Sequence, residues 1–320
     1  MTSTGPEIQF PQMRIGLPRA LLYYRYGRFW EEYLSGLGAD VVLSRPTDAD
    51  LLQRGLAVVS SEVCLPIKIA AGHVLDLADR VDTIFLPRMF SLDDGLYACP
   101  KMIGIVDVCR MMLGNRVRLI APVIKGDLYG PHFRAGLAIC RNPFRVAQAI
   151  SRARAALEEE RPEPAFPKGE KRVALIGHFY NTGDGYVADA IIQGFRSRGY
   201  RVVCKDDLPQ GVLRSRAGFS RNIRWVYERE LYNAFRFLVD KVSGVCVIVS
   251  MGCGPDSLVA EFMREEAQQR DVPFLQLVVD EHTGTAGIVT RVEAFLELAE
   301  RRRARASACR LKIGGQGKAA

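Results

Sequence analysis

The sequence predicts an α/β protein of two domains, each built on a mainly parallel sheet. Three observations carry this reading. The order strand, loop, helix, glycine, strand occurs at residues 13–43 and again at 171–204, and a strand that returns after a helix implies parallel pairing. Residues 161–168 (RPEPAFPK) hold three prolines, which no helix or central strand tolerates, so a domain boundary falls there. A chain of 320 residues is long for one domain and comfortable for two.

The elements follow in order. Residues 13–18 (MRIGLP) read as a strand. Residues 20–37 have helical spacing through Leu21, Tyr24, Phe29, Tyr33 and Leu37, and Gly38 ends them. Residues 39–43 (ADVVL) return as a strand, and Thr47 is placed to cap a short helix through Leu56. A helix over 66–78 leads to a buried strand at 83–87 (TIFLP), and a helix over 100–113 leads to a strand at 116–121 (RVRLIA). A long, increasingly charged helix covers 144–160. The second half has strands at 171–177, 200–204, 245–250 and 273–279. Its helices are expected over 189–199, 223–242, 255–270 and 286–303. The shared opening of the halves suggests similar domains by pattern rather than identity. The implied architecture is two Rossmann/flavodoxin-like three-layer domains. The bounds are a disordered N-terminus over 1–12, a first α/β domain over 13–160, a proline-rich linker over 161–170, a second α/β domain over 171–303 and a basic flexible tail over 304–320.

Composition narrows the function classes. Hydrophobic residues make up 48% of the chain, as a globular core requires, yet no apolar run reaches the ~18–20 residues of a membrane span. The polar start has no basic region followed by an apolar one, so no secretory signal is expected. A cytoplasmic, reducing location follows, where eight cysteines are metal ligands or buried thiols rather than disulfides. The formal charge of +8 is concentrated in the last twenty residues, which carry Arg301, Arg302, Arg303, Arg305, Arg310, Lys312, Lys318 and no acid. The rest of the chain is nearly balanced. That tail is a solvated terminus or a weak nucleic-acid or partner-binding segment; a nucleic-acid face on the body is not expected.

Cys64, Cys99 and Cys253 share one context: each is followed within two residues by a proline, Pro66, Pro100 or Pro255, that opens a helical run. Proline suits the first helical turn because the N–H it lacks is unpaired there anyway. All three thiols are thus placed at helix N-termini, where free N–H groups and the helix dipole favour a thiolate. Cys253 and residues 280–283 (DEHT) follow strands that end at the same edge of a parallel sheet, where sites form. The leading expectation is one iron–sulfur cluster held by the three thiols in the cleft between the domains. Three dispersed ligands leave a fourth position open, unlike a structural zinc site with its two close pairs. The other reading is three buried cysteines with no ligand role. Cys109, Cys140, Cys204, Cys246 and Cys309 read as structural or free thiols.

The set IGLPRALLYY (15–24), EVCLPIK (62–68), CPK (99–101), GHFYN (177–181), GCGPDS (252–257), DEHTG (280–284) and TRVEAF (290–295) resembles the acyl-CoA dehydratase activase-related proteins. These belong to the wider 2-hydroxyacyl-CoA dehydratase component group, with benzoyl-CoA reductase subunits and double-cubane cluster proteins. The resemblance covers about residues 13–300. It implies a 4Fe–4S cluster, single or bridged into a double cubane, with Cys64, Cys99 and Cys253 in the ligand positions. It also implies low-potential electron transfer or reductive chemistry in anaerobic metabolism, with an ATP-hydrolysing activator as partner. Acyl-CoA or another small substrate is then expected, as is a homodimer or a paralogous subunit. The alternatives are a non-catalytic Fe–S accessory or electron carrier and a zinc-stabilised scaffold. No GxxxxGK[ST] run occurs, so ATP hydrolysis by this chain is not expected.

Around the cluster, Lys68 and Lys101 closely follow their cysteines. They would raise the potential of an anionic cluster, or are simply solvated. His178, Tyr180, Glu281 and His282 are candidate catalytic groups, as proton donors or hydrogen-bond partners; the bland reading is loop structure. Glu62 and Asn181 are expected to contact the cofactor. Asp256 and Ser257, also placed near it, most simply cap the Cys253 helix.

Overall fold

The computed structural model describes residues 13–93, 95–157, 162–167, 169–215 and 223–315, with side chains described through residue 304. The N-terminal segment 1–12, residues 161 and 168 of the linker, and the side chains of most of the tail lie outside the described residues. Contacts divide the chain into two units. The first takes Met1–Ser61 and Ile67–Glu159, the second Glu62–Pro66 and Glu160–Ala320. The pentapeptide around Cys64 therefore goes with the second unit, although sequence order places it in the first domain.

In the first unit, β1 (Arg14–Leu17), α1 (Tyr23–Gly36) and β2 (Asp40–Leu43) form the expected opening. Then come α2 (Ala49–Leu56), α3 (Leu65–Ala78), β3 (Thr83–Phe85), β4 (Arg88–Ser91), α4 (Pro100–Leu113), β5 (Arg118–Ile120), β6 (Val123–Lys125), α5 (Tyr129–Cys140) and α6 (Pro143–Arg154). The main sheet has the order β2-β1-β3-β5, all parallel, and β4 pairs with β6 in a separate two-stranded parallel sheet. Ile84 lies on the face of Gly16 and of Leu77 in α3; on the opposite face, with Ile15 and Leu17, Phe85 packs against Trp30 and Tyr33 of α1 beside Phe29. His132 of α5 completes that core. Its Nε2 accepts from Trp30 Nε1 at 3.1 Å, and its Nδ1 lies 2.6 Å from the Leu128 carbonyl. Burial lowers its pKa to about 4, so this neutral ring is part of the packing.

The cap of α2 is Asp48, whose carboxylate accepts from the Leu51 N–H, rather than Thr47. Thr47 instead pairs with His73. Helices α2 and α3 meet backbone to backbone: a Cβ at Gly55 would lie 1.9 Å from the Lys68 carbonyl oxygen, and one at Gly72 2.1 Å from that of Leu51.

In the second unit, β7 (Arg172–Ile176) is followed by a single helical turn, α7 (Phe179–Thr182), then α8 (Gly185–Ser197), β8 (Arg201–Cys204), α9 (Gln210–Leu213), α10 (Val226–Leu238), β9 (Gly244–Ser250), α11 (Gly254–Gln269), β10 (Phe274–Val279) and α12 (Thr285–Gly315). The sheet order is β10-β9-β7-β8, again all parallel. Counted within its own sheet, each unit runs second, first, third, fourth strand, the flavodoxin-like winding. Strands β7 and β9 are buried along their whole length, as a central position covered on both faces requires. Helix α12 continues past Arg303 to Gly315. No described helix is long and apolar enough to cross a membrane.

Candidate functional site

In the second unit the winding reverses between β7 and β9, so a crevice is expected at the carboxyl ends of those strands. The chain leaves β7 through Gly177 and His178, and leaves β9 through Met251, Gly252 and Cys253. These two loops carry the candidate site.

Cys253 is the N-cap residue of α11, with Pro255 in its first turn. Its carbonyl accepts from the Ser257 N–H and from the Ser257 hydroxyl at 2.8 Å. Gly252 has φ +78°, the left-handed region, and a Cβ there would lie 3.1 Å from the Glu62 carbonyl oxygen and 3.5 Å from the Cys64 N. The Cys64 segment thus packs directly on the Cys253 turn, within the second unit. Cys64 and Cys253 are both buried, and Cys64 lies close enough to influence the ionisation of Cys253.

The helix start does not leave Cys253 with an acidic thiol. Burial raises its pKa first, the Asp256 carboxylate and Cys64 add to this, and the hydrogen bond from the Asp256 N–H opposes it. A lowered pKa was the expectation for all three sites; at Cys253 desolvation outweighs the dipole. A bound cation would reverse that balance, since metal ligation requires the thiolate. The buried thiols therefore suit a soft metal in both donor chemistry and environment. Cys99 caps α4, with Pro100 at its first position, and is half-buried in the first unit. All three cysteines thus stand at helix starts, and the backbone of the Cys64 segment lies against the Cys253 turn. No disulfide is found among the described residues.

Beside the thiols lies a buried acid–histidine cluster. His178 Nε2 is 2.6 Å from Asp256 Oδ1 and 3.8 Å from Glu228 Oε1, and each of the three residues is at most 2% exposed. Burial disfavours a charged imidazole, but Asp256 and then Glu228 outweigh it, with Lys205 opposing them, and the His178 pKa is raised. Burial raises the Glu228 carboxyl to about 7, against the pull of His178 and with the push of Asp256. Lys205, also buried, pairs with Asp206 and Glu230. The Tyr180 ring stacks on His178 at 4.7 Å. Asn181 Nδ2 donates to Ser250 Oγ at 3.0 Å, tying α7 to the end of β9.

Of the residues expected from sequence, Cys64, Cys253, His178, Tyr180, Asn181, Asp256 and Ser257 thus fall in or beside these two loops. Asp256 and Ser257 do not cap α11; Asp256 turns to His178 and Ser257 to the Cys253 carbonyl. His282 is exposed, with its N–H held by Asp280. Glu281 is half-buried in the same turn after β10. Lys68 is buried in the first turns of α3, whereas Lys101 and Glu62 are exposed. Sequence reading missed Glu228. Its signal was an acid three residues before Leu231 and seven before Phe235, on the buried face of α10.

Fold and site together define a doubly wound α/β protein with buried thiols and a buried acid–histidine cluster at one switch point. The chain belongs to the family described as the CoA enzyme activase uncharacterised domain (DUF2229), whose profile matches residues 14–208. No curated protein matches the chain. Among solved structures, one described as a phosphosugar isomerase from Silicibacter pomeroyi DSS-3 aligns over 93% of this chain and 88% of its own, at 8% identity and a TM-score of 0.22, too low to carry an argument.

Proposed function

We propose that the protein is an iron–sulfur component of a CoA-enzyme activation system, with Cys64, Cys99 and Cys253 as the ligands of a 4Fe–4S cluster. The observation that supports this reading is the packing of the Cys64 segment on the Cys253 turn, two buried cysteines each at a helix start beside the switch point. When bound, such a cluster supplies a low-potential electron and an open iron position. The chain's own residues bury the Cys64 and Cys253 thiols and direct the Asp256 N–H at the Cys253 sulfur. Membership of a CoA enzyme activase family supports a place in activation chemistry, with an ATP-hydrolysing protein as electron donor and an acyl-CoA enzyme or substrate downstream. Anaerobic reconstitution tests this. A brown protein with about four iron and four sulfide per chain, reduced by an ATP-driven donor, is the expected result. A colourless protein that takes up zinc at the thiols and no iron would overturn it.

A further inference from the structure

We propose that His178, Glu228 and Asp256 form a second cation site, separate from the thiols, for a divalent transition-metal ion. The three residues come from three elements: the turn into α7, helix α10 and the first turn of α11. Each offers one ligand atom, and these atoms lie within 4.8 Å of one another. Ions of the zinc type bind imidazole nitrogen and carboxylate oxygen at about 2.0–2.2 Å, which sets donors roughly 3–3.5 Å apart. The observed separations from His178 Nε2, 2.6 Å to Asp256 and 3.8 Å to Glu228, bracket that range, so side-chain shifts of under ~1 Å would complete the site.

Two further observations point to a ligand. Glu228 Oε2 and Asp256 Oδ2 are buried and make no hydrogen bond, and buried carboxylate oxygens are ordinarily paired. The third such atom, His178 Nδ1, has no partner with or without an ion on Nε2. Charge points the same way. The nearby Lys205 ammonium pairs with Asp206 and Glu230, and among the described residues the imidazole is the one ion-pair partner of the two cluster carboxylates. A divalent ion balances them with the ring neutral; the alternative is two protons, one on His178 and one on Glu228. One imidazole with two carboxylates suits zinc, manganese or iron(II) better than magnesium or calcium. The ion would pin α7, α10 and α11 to one another beside the Cys253 turn.

The inference does not depend on the cluster reading, and the experiment keeps them apart. Full-length protein carrying Cys64→Ser and Cys253→Ser is stripped with chelator, then titrated with zinc and with cobalt(II). One zinc per chain is expected to remain bound, with cobalt spectra of nitrogen and oxygen ligation. The midpoint of thermal unfolding should rise by about 5 °C or more at saturating zinc. Adding Glu228→Gln should weaken binding at least tenfold. A folded thiol variant that retains no ion, or Glu228→Gln that binds as tightly, would overturn the site and favour the two-proton state. Should the thiol variant not fold, the wild-type chain serves. There, a cobalt signal free of sulfur charge transfer must disappear in Asp256→Asn while any sulfur-bound signal persists. If all bound cobalt shows sulfur ligation, the site is refuted.

Discussion

Gly252→Ala offers the most direct test of how the Cys253 turn is held. The residue has φ +78°, and an L-residue in that region costs about 1–2 kcal/mol. The new methyl would lie 3.1 Å from the Glu62 carbonyl oxygen. A backbone oxygen two residues before Cys64 must then give by a few tenths of an ångström, a crowding of about 1 kcal/mol. The sum, roughly 2–3 kcal/mol, corresponds to a melting midpoint lower by about 4–12 °C for a unit of this size. Gly254→Ala is the control. It lies two residues away, nothing approaches within 4 Å of its would-be Cβ, and it begins α11, so alanine should be neutral or slightly stabilising. Differential scanning calorimetry of both variants reads the difference, and iron uptake after anaerobic reconstitution reads its effect on the thiols. Equal midpoints for Gly252→Ala and wild type would refute the packing argument. A lowered midpoint with unaltered iron uptake would separate that packing from cluster binding.

Three further outcomes are expected. Serine at Cys64, Cys99 or Cys253 should each lower iron content, because oxygen is a poorer ligand than thiolate for iron; alanine at Cys109, Cys140 or Cys246 should leave iron unchanged and cost on the order of 1 kcal/mol. Glu228, raised from 4.5 to about 7, keeps its proton in the native chain after the unfolded chain has lost it. Its contribution to stability therefore falls as pH rises between those values, by about 3 kcal/mol, and raised His178 acts in the same direction. Denaturant midpoints at pH 5 and pH 8, on chelator-treated protein, should accordingly show Glu228→Gln gaining on wild type as pH rises. Alanine at Gly55 or Gly72 should destabilise the first unit by roughly 3 kcal/mol or more, since the new Cβ would overlap a facing carbonyl oxygen; urea unfolding followed by circular dichroism checks this.

The paired openings of the two halves were legible because each strand–helix–strand run is local and strongly periodic. Two further strands were not. Strands β4 and β6 follow β3 and β5 after two residues with no helix between them, so no strand–helix–strand spacing marked them. Helix α5 carries Gly130, Pro131 and Gly136, which read as breakers. Pro131 is tolerated because it stands in the first turn, where no intrahelical partner awaits its N–H. In the second half, Gly183-Asp184-Gly185 concealed the start of α8; Asp184 caps it by accepting from the Tyr186 N–H. At the site, prolines marked the helix starts beside the three thiols, a signal written in adjacent residues. The cluster of His178, Glu228 and Asp256 joins positions fifty and seventy-eight residues from the first, and only the packing of α10 and α11 on the sheet brings them together.

The crossing of α2 and α3 has a mechanical consequence. Glycine at 55 and 72 lets each helix rest on the other's carbonyl oxygens, so the seat is made chiefly of backbone. Such a joint has little compliance: a load on α3 meets peptide groups, which shift far less readily than a leucine changes rotamer. The crossing of α2 and α3 would therefore keep its angle while the side chains around it repack.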